Sequence, residues 1–182
     1  MILKSVKNDD KILRAKIDYV LEVTDSTRKI LDSMVEFCEI HSKPKTLSLA
    51  ANQVGINQRL IVIFDNKEIL KLVNPKIIAQ KGKQIFFEGC VNANLPDKLL
   101  RGFVERPAYI KVEALDYNGQ KITIEADKIL AIMLCHEIDH LNGILFTDKL
   151  IGEPYLFDTA EEVDEFRLHH PLVVIEDYQK NN

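Results

Sequence analysis

The chain has 182 residues, 46% apolar and 29% charged, with a formal net charge of −4, the balance of a folded globular protein rather than a disordered or fibrous one. That charge leaves no electrostatic footprint for nucleic acid, and no apolar run approaches the ~18–20 residues that cross a bilayer. The length predicts one domain over residues 1–182, and the opening MILKSVKNDDKI turns acidic too soon for a secretory leader, which points to the cytoplasm.

Taken in order, DSTRKILDSMVEFCEIH (25–41) offers cap residues at Asp25, Ser26 and Thr27, then Ile30, Met34, Phe37 and Cys38 on one helical face. A loop containing Pro44 follows. RLIVIF (59–64) and ILKLVN (69–74) are short apolar runs bounded by turn residues, as buried strands are, and KQIFFEGC (83–90) reads as another. Residues 92–104, NANLPDKLLRGFV, read as a loop. Apolar alternation at Ile110, Val112 and Ala114, then Asn118-Gly119, then Ile122 and Ile124, predicts a β-hairpin. ADKILAIMLCHEIDHLNG (126–143) predicts a helix with Asp127 at its start and Gly143 at its stop, apolar nearly all round and therefore central. The end of the chain holds an acidic helical stretch and a short LVVI strand.

The predicted central helix carries His136 and His140 at i and i+4, on one face about a turn apart, so both rings can reach one ion. Glu137 is rotated away from that axis yet close enough to reach a water on the ion. A catalytic ion generally needs a third protein ligand. Downstream, His169 and His170 sit together in a polar segment and fit poorly. Upstream stand His41, Cys38, Cys90 and Cys135, the three cysteines being odd in number, widely spaced and expected as free thiols. Cys135 points about 100° away from His136 around the helix, and Cys38 falls on the apolar stripe of its own helix. Cys90, in FFEGCVN at the end of a strand, can present a thiolate, and a His₂Cys set suits iron(II), zinc, cobalt or nickel.

With Cys90 included, three segments together resemble the peptide deformylase family. TLSLAANQ (46–53) is similar to its Gly-x-Gly-x-Ala-Ala-x-Gln motif, Glu88-Gly89-Cys90 to its Glu-Gly-Cys motif, and HEIDHL (136–141) to its His-Glu-x-Asp-His-Leu motif. The likeness extends over most of residues 13–150. It implies an α+β fold with antiparallel strands packed around the HExxH-bearing helix. The implied reaction is hydrolysis of the N-formyl group from the formyl-methionine of nascent peptides, releasing formate. Water on an ion held by Cys90, His136 and His140, natively Fe²⁺ with Zn²⁺, Ni²⁺ or Co²⁺ as substitutes, would attack the formyl carbonyl. Glu137 would act as general base and then acid, and the Gln53 amide with the Val91 N–H would stabilise the oxyanion. Thr46, Ser48, Glu88, Gly89 and Arg106 would belong to the substrate cleft, and Arg106 is also placed to pair with Asp139. The implied partners are nascent N-formylmethionyl peptides, with a transient ribosome contact and no membrane.

The sequence departs from the motifs at three kinds of place. Thr46 and Ser48 stand where the first motif has glycines, Asn92 where a serine usually follows the second, and Cys135 where a glutamine precedes the third. A Cβ at residues 46 and 48 would crowd a peptide lying along that segment. The alternative expectation is therefore a deformylase-like metal-binding protein of weak or altered activity. A zinc endoprotease is a third reading, disfavoured because it leaves the Cys90 segment unexplained.

Overall fold

The computed structural model describes residues 2–41, 46–65 and 68–176. The helix expected at 25–41 is α1, Asp25–His41, and its cap lies one residue earlier than expected. The hydroxyl of Thr24 accepts from the Thr27 N–H at 3.4 Å, while the Thr27 hydroxyl accepts from the Thr24 N–H at 3.3 Å, a reciprocal cap. Met34, Phe37 and Cys38 are buried as expected. The expected Pro44 loop lies outside the described residues.

Strands β1 (Thr46–Ala50), β2 (Leu60–Asp65), β3 (Glu68–Lys81), β6 (Tyr109–Leu115) and β7 (Lys121–Asp127) form one sheet in the order β1-β2-β3-β6-β7, with every pairing antiparallel. Strand β2 is buried on both faces, which is why LIVIF is a continuous apolar run rather than an alternation. Side chains of a strand alternate in direction. Ile61 and Ile63 accordingly meet Leu134, Cys135 and Ile138 of the second helix, α2 (Lys128–Leu141), while Leu60 and Val62 meet Met34, Phe37 and Cys38 of α1. The HEIDH helix is thus a core element packed on one face of this sheet.

A second sheet, in the order β8-β5-β4-β9, is built around β4 (Lys83–Gly89) and β5 (Leu99–Arg106). Strand β5 corrects the expected 92–104 loop, whose second half pairs along β4 from Arg101 opposite Gly89 to Val104 opposite Phe86. Turn residues Asn92, Asn94 and Pro96 obscure that strand in the sequence; the actual turn is tight, with Leu95 and Lys98 paired across it. The C-terminal segment supplies both outer strands, β8 (Tyr155–Phe157) and β9 (Val173–Glu176), flanking α3 (Ala160–His169). It rests on Phe87, which is fully buried and has the rings of Phe103, Tyr155, Phe157 and Phe166 around it at 4.6 to 5.9 Å.

Three buried polar side chains set the ends of α2. Gln84 donates to the carbonyls of Pro107 (2.9 Å) and Lys128 (3.1 Å) at its start. At its end, Arg59 donates to the Leu141 carbonyl at 2.9 Å, and Asn52 to that of His140 at 2.7 Å, satisfying carbonyls that lack an intrahelical partner. Gly143 then closes the helix with φ +74°. Its N–H bonds the His140 carbonyl, and the Ile144 N–H bonds that of Asp139, the paired bonds of a left-handed helix stop. A Cβ here would lie 2.5 Å from the carbonyl oxygen of Arg14. The left-handed backbone alone costs a non-glycine residue about 1–2 kcal/mol. Gly143→Ala should therefore lower the thermal midpoint by several degrees, at roughly 2–4 °C per kcal/mol for a chain of this size. An unchanged melting curve would show that the turn relaxes freely.

Candidate active site

Helix α2 and the end of β4 bring three donor atoms together. Cys90 Sγ lies 3.3 Å from His140 Nε2, which lies 3.2 Å from His136 Nε2, and all three donors fall within 4.8 Å of one another. Tetrahedral bonds of the usual lengths to sulfur and nitrogen would separate such donors by about 3.3–3.6 Å, so the set fits a single ion. The fit is also chemical. His136 donates from Nδ1 to Glu88 Oε2 at 2.9 Å, which turns Nε2 toward the cluster; against burial, hydrogen bonds with Cys90 and Glu88 raise the ring's pKa, so an ion would take the place of the Nε2 proton. Burial, reinforced by the neighbouring His136, holds the His140 ring well below its usual pKa and so keeps it neutral. His140 Nδ1 is buried without a hydrogen-bond partner among the described residues.

Glu88 and Arg106, both expected in the substrate cleft, are buried behind His136 and joined to each other. They are 3% and 2% exposed. Arg106 donates from Nε and Nη2 to the two oxygens of Glu88 at 2.8 and 2.9 Å, and its Nη1 also bonds Asp139, as its placement suggested. Burial alone would raise the Glu88 carboxyl, but Arg106 and then His136 outweigh it and hold the pKa down at about 2. Residues 88, 106, 136 and 139 therefore form a charged brace across β4, β5 and α2.

Glu137 follows His136 in α2 and acts on its charge; it is 1% exposed, and burial raises its pKa. Its Oε1 accepts from the Ser48 hydroxyl at 2.6 Å, and its Oε2 is buried with no hydrogen-bond partner among the described residues. Ser48 thus projects from β1 toward α2 instead of standing as an inert obstruction. Gln53 follows β1 in a 3-10 turn, Ala51–Val54. Its Oε1 accepts from the Ala50 N–H at 2.8 Å, and its Nε2 donates to Asn92 Oδ1 at 3.1 Å and to Cys90 Sγ at 3.3 Å. Val91, directly after Cys90, is exposed. Thr46 begins β1, and Gly89 ends β4 beneath the side chain of Arg101, with which an added Cβ would collide at 2.1 Å.

Two positions carry more of the site than the sequence disclosed. Asn92 is buried and donates to Ser5 Oγ and the Val6 carbonyl while accepting from Gln53, so it ties the N-terminal segment to the Gln53 amide. Arg101, half-buried over Gly89, bonds Asn94 Oδ1 at 2.8 Å. Asn92 could have been noticed as a polar residue just after the Glu-Gly-Cys motif; Arg101 gave no signal while its segment read as loop. The rejected third-ligand candidates lie elsewhere: Cys38 and Cys135 are core thiols that burial raises to about 12, His41 is exposed, and His170 stacks on Phe166 at 3.9 Å.

The polypeptide deformylase family model matches residues 2–154. The chain belongs to this family. Peptide deformylase 2 of Clostridium acetobutylicum is 44% identical over 149 residues, 81% of this chain and 95% of that protein. A peptide deformylase of Acetivibrio thermocellus is 44% identical over 153 residues, 83% and 85% of the two chains. Among solved structures, a Synechococcus elongatus peptide deformylase in complex with actinonin superposes with a TM-score of 0.73 at 33% identity, covering 92% of this chain and 85% of that one. The family is metal-dependent, which agrees with the donor cluster, and the C-terminal segment from residue 155 onward lies beyond the family match.

Proposed function

We propose that the protein removes the N-formyl group from the formyl-methionine of nascent peptides, releasing formate, with a divalent ion held by Cys90, His136 and His140. The observation that carries this reading is the convergence of three buried donors beside the Glu137 carboxylate in a chain of the deformylase family. When bound, the ion would acidify a water to a pKa of about 7 and polarise the formyl carbonyl. The chain's own groups do the rest.

Glu137 takes the proton of the attacking water on Oε2, the oxygen left free by Ser48, and returns it to the leaving amine. Its raised pKa brings the carboxyl nearer to neutrality, where one group can both accept and give up a proton. The Gln53 amide, oriented by Ala50 and Asn92, turns its second Nε2–H from Cys90 Sγ to the developing oxyanion, which the Val91 N–H also bonds. Strand β1 is an edge of its sheet, so the peptide can add along Thr46 and Ser48 as a further strand and reach the donors past Gly89. Iron(II) is the native ion in this reading; zinc, nickel and cobalt suit the same N/S set. The reaction belongs to the cytoplasm, at transient contacts with ribosomes; no helix among the described residues is long and apolar enough to cross a membrane.

The alternative of weak activity imposed by Thr46 and Ser48 is not favoured by 44% identity to peptide deformylases along nearly their whole length. Anaerobic purification should yield close to one ion per chain and formate release from a formyl-Met peptide. Chelation should abolish that release, and re-addition of iron(II) should restore it. Stoichiometric metal without formate would sink the reading, and cleavage of unformylated peptides would point to an endoprotease instead.

A further inference from the structure

The family motif has glycine at residue 48, and this chain has a serine whose hydroxyl reaches the Glu137 carboxylate at 2.6 Å. The strand geometry explains how. Leu49 enters the α1 cluster while Ala50 faces the α2 cluster, so the alternation turns Ser48 to the same side as Ala50, toward α2. Residues 46–50 pair with β2 throughout, with Ser48 opposite Ile63, which is itself 1% exposed. The hydroxyl is therefore mounted on a rigid strand. Among the described residues Ser48 is the side chain that bonds the Glu137 carboxylate, with the Ala50 backbone N–H also bearing on it, so the hydroxyl biases which way the carboxylate faces.

From this we infer that Ser48 is a positioning residue: it holds Oε1 of Glu137 so that Oε2 is presented to the reacting water. The inference rests on the proposed deformylase reaction for its kinetic consequence, but not for the hydrogen bond itself. A glycine has no group to do this. Without Ser48 the carboxylate keeps the Ala50 backbone N–H but loses its side-chain anchor; its terminal torsion is broad and roughly two-fold, so the fraction of correctly oriented base falls. The predicted signature is a lower kcat with KM little changed, because the hydroxyl is occupied by the enzyme's own carboxylate and not by the peptide.

Two measurements on the zinc-loaded protein test it. The first follows the Ser48 hydroxyl proton by NMR in serine-labelled protein. A slowly exchanging hydroxyl resonance that disappears in Glu137→Ala is expected; rapid exchange with bulk water would overturn the inference even if deformylation proceeds. The second compares Ser48→Ala, Ser48→Gly and Ser48→Thr in formate release and metal content. Alanine and glycine should each lose about tenfold in kcat, the effect of one hydrogen bond to a charged group, with metal content and KM within about twofold of the parent. Threonine keeps the hydroxyl and should retain most of the rate. In a Glu137→Gln background the Ser48→Ala change should add little further loss. An undiminished kcat in Ser48→Ala, or a KM that falls in Ser48→Gly, would mean that residue 48 crowds the peptide and does not position the base. Absence of formate from the parent protein would instead count against the proposed reaction, while the hydroxyl resonance would still decide whether Ser48 holds Glu137.

Discussion

Glu137→Ala should lower formate release by about 10²–10⁴-fold, the range that a positioned general acid–base contributes, while the protein still binds one ion per chain. The reason for the separation is spatial. Glu137 lies beside the donor cluster and is absent from it, and its carboxylate bonds Ser48. In the proposed reaction its removal takes away the proton acceptor without touching Cys90, His136 or His140. Removal should also relieve the burial of a carboxylate whose Oε2 lacks a partner, so thermal stability should hold or rise. A variant that loses metal together with activity would show that Glu137 supports the site and does not act in the chemistry.

The second large effect falls on stability. Arg106→Met removes the cation that holds Glu88 by two hydrogen bonds and leaves a carboxylate 3% exposed without its main partner. Breaking a buried pair in this way typically costs about 3–5 kcal/mol. Asp139 keeps Lys149 at 2.6 Å, so the damage should centre on Glu88. Because Glu88 also orients His136, metal affinity should fall by about 10–100-fold, the usual result of losing such a support. Pairing Arg106→Met with Glu88→Leu separates the two consequences, since it should recover stability but not affinity. Equal denaturation midpoints for parent and Arg106→Met would refute the brace.

The same carboxylate sets an acid limit. Its folded pKa of about 2 lies below the ordinary value of 4.5, so its contribution is complete above pH 4.5 and is lost as pH falls toward 2. Acid titration of the parent should show unfolding that steepens in that window.

Much of this protein was legible along the chain because its information is local. The hairpin at Asn118-Gly119, the buried run at residues 60–64 and the HEIDH helix ending at Gly143 each follow from periodicity and turn chemistry over fewer than twenty residues. The i and i+4 spacing of His136 and His140 is likewise a property of one helix. Strand β5 was hidden because Asn92, Asn94 and Pro96 mark a turn without marking where it ends, and only pairing with β4 defines its length.

What depends on two distant segments meeting could be decided only by the tertiary structure. Between thirty and just over fifty residues of chain separate Arg106 and Glu88 from the histidines, and a residue's position in a motif does not say whether it faces the substrate or the back of a ligand. Packing put both behind His136 as a charged brace. Ser48 is the sharpest case. As a letter in a glycine motif it reads only as added bulk, because a sequence records the side chain and not its direction. Once β1 lies across α2, the alternation of the strand aims that hydroxyl at Glu137 and turns the extra atoms into a hydrogen bond.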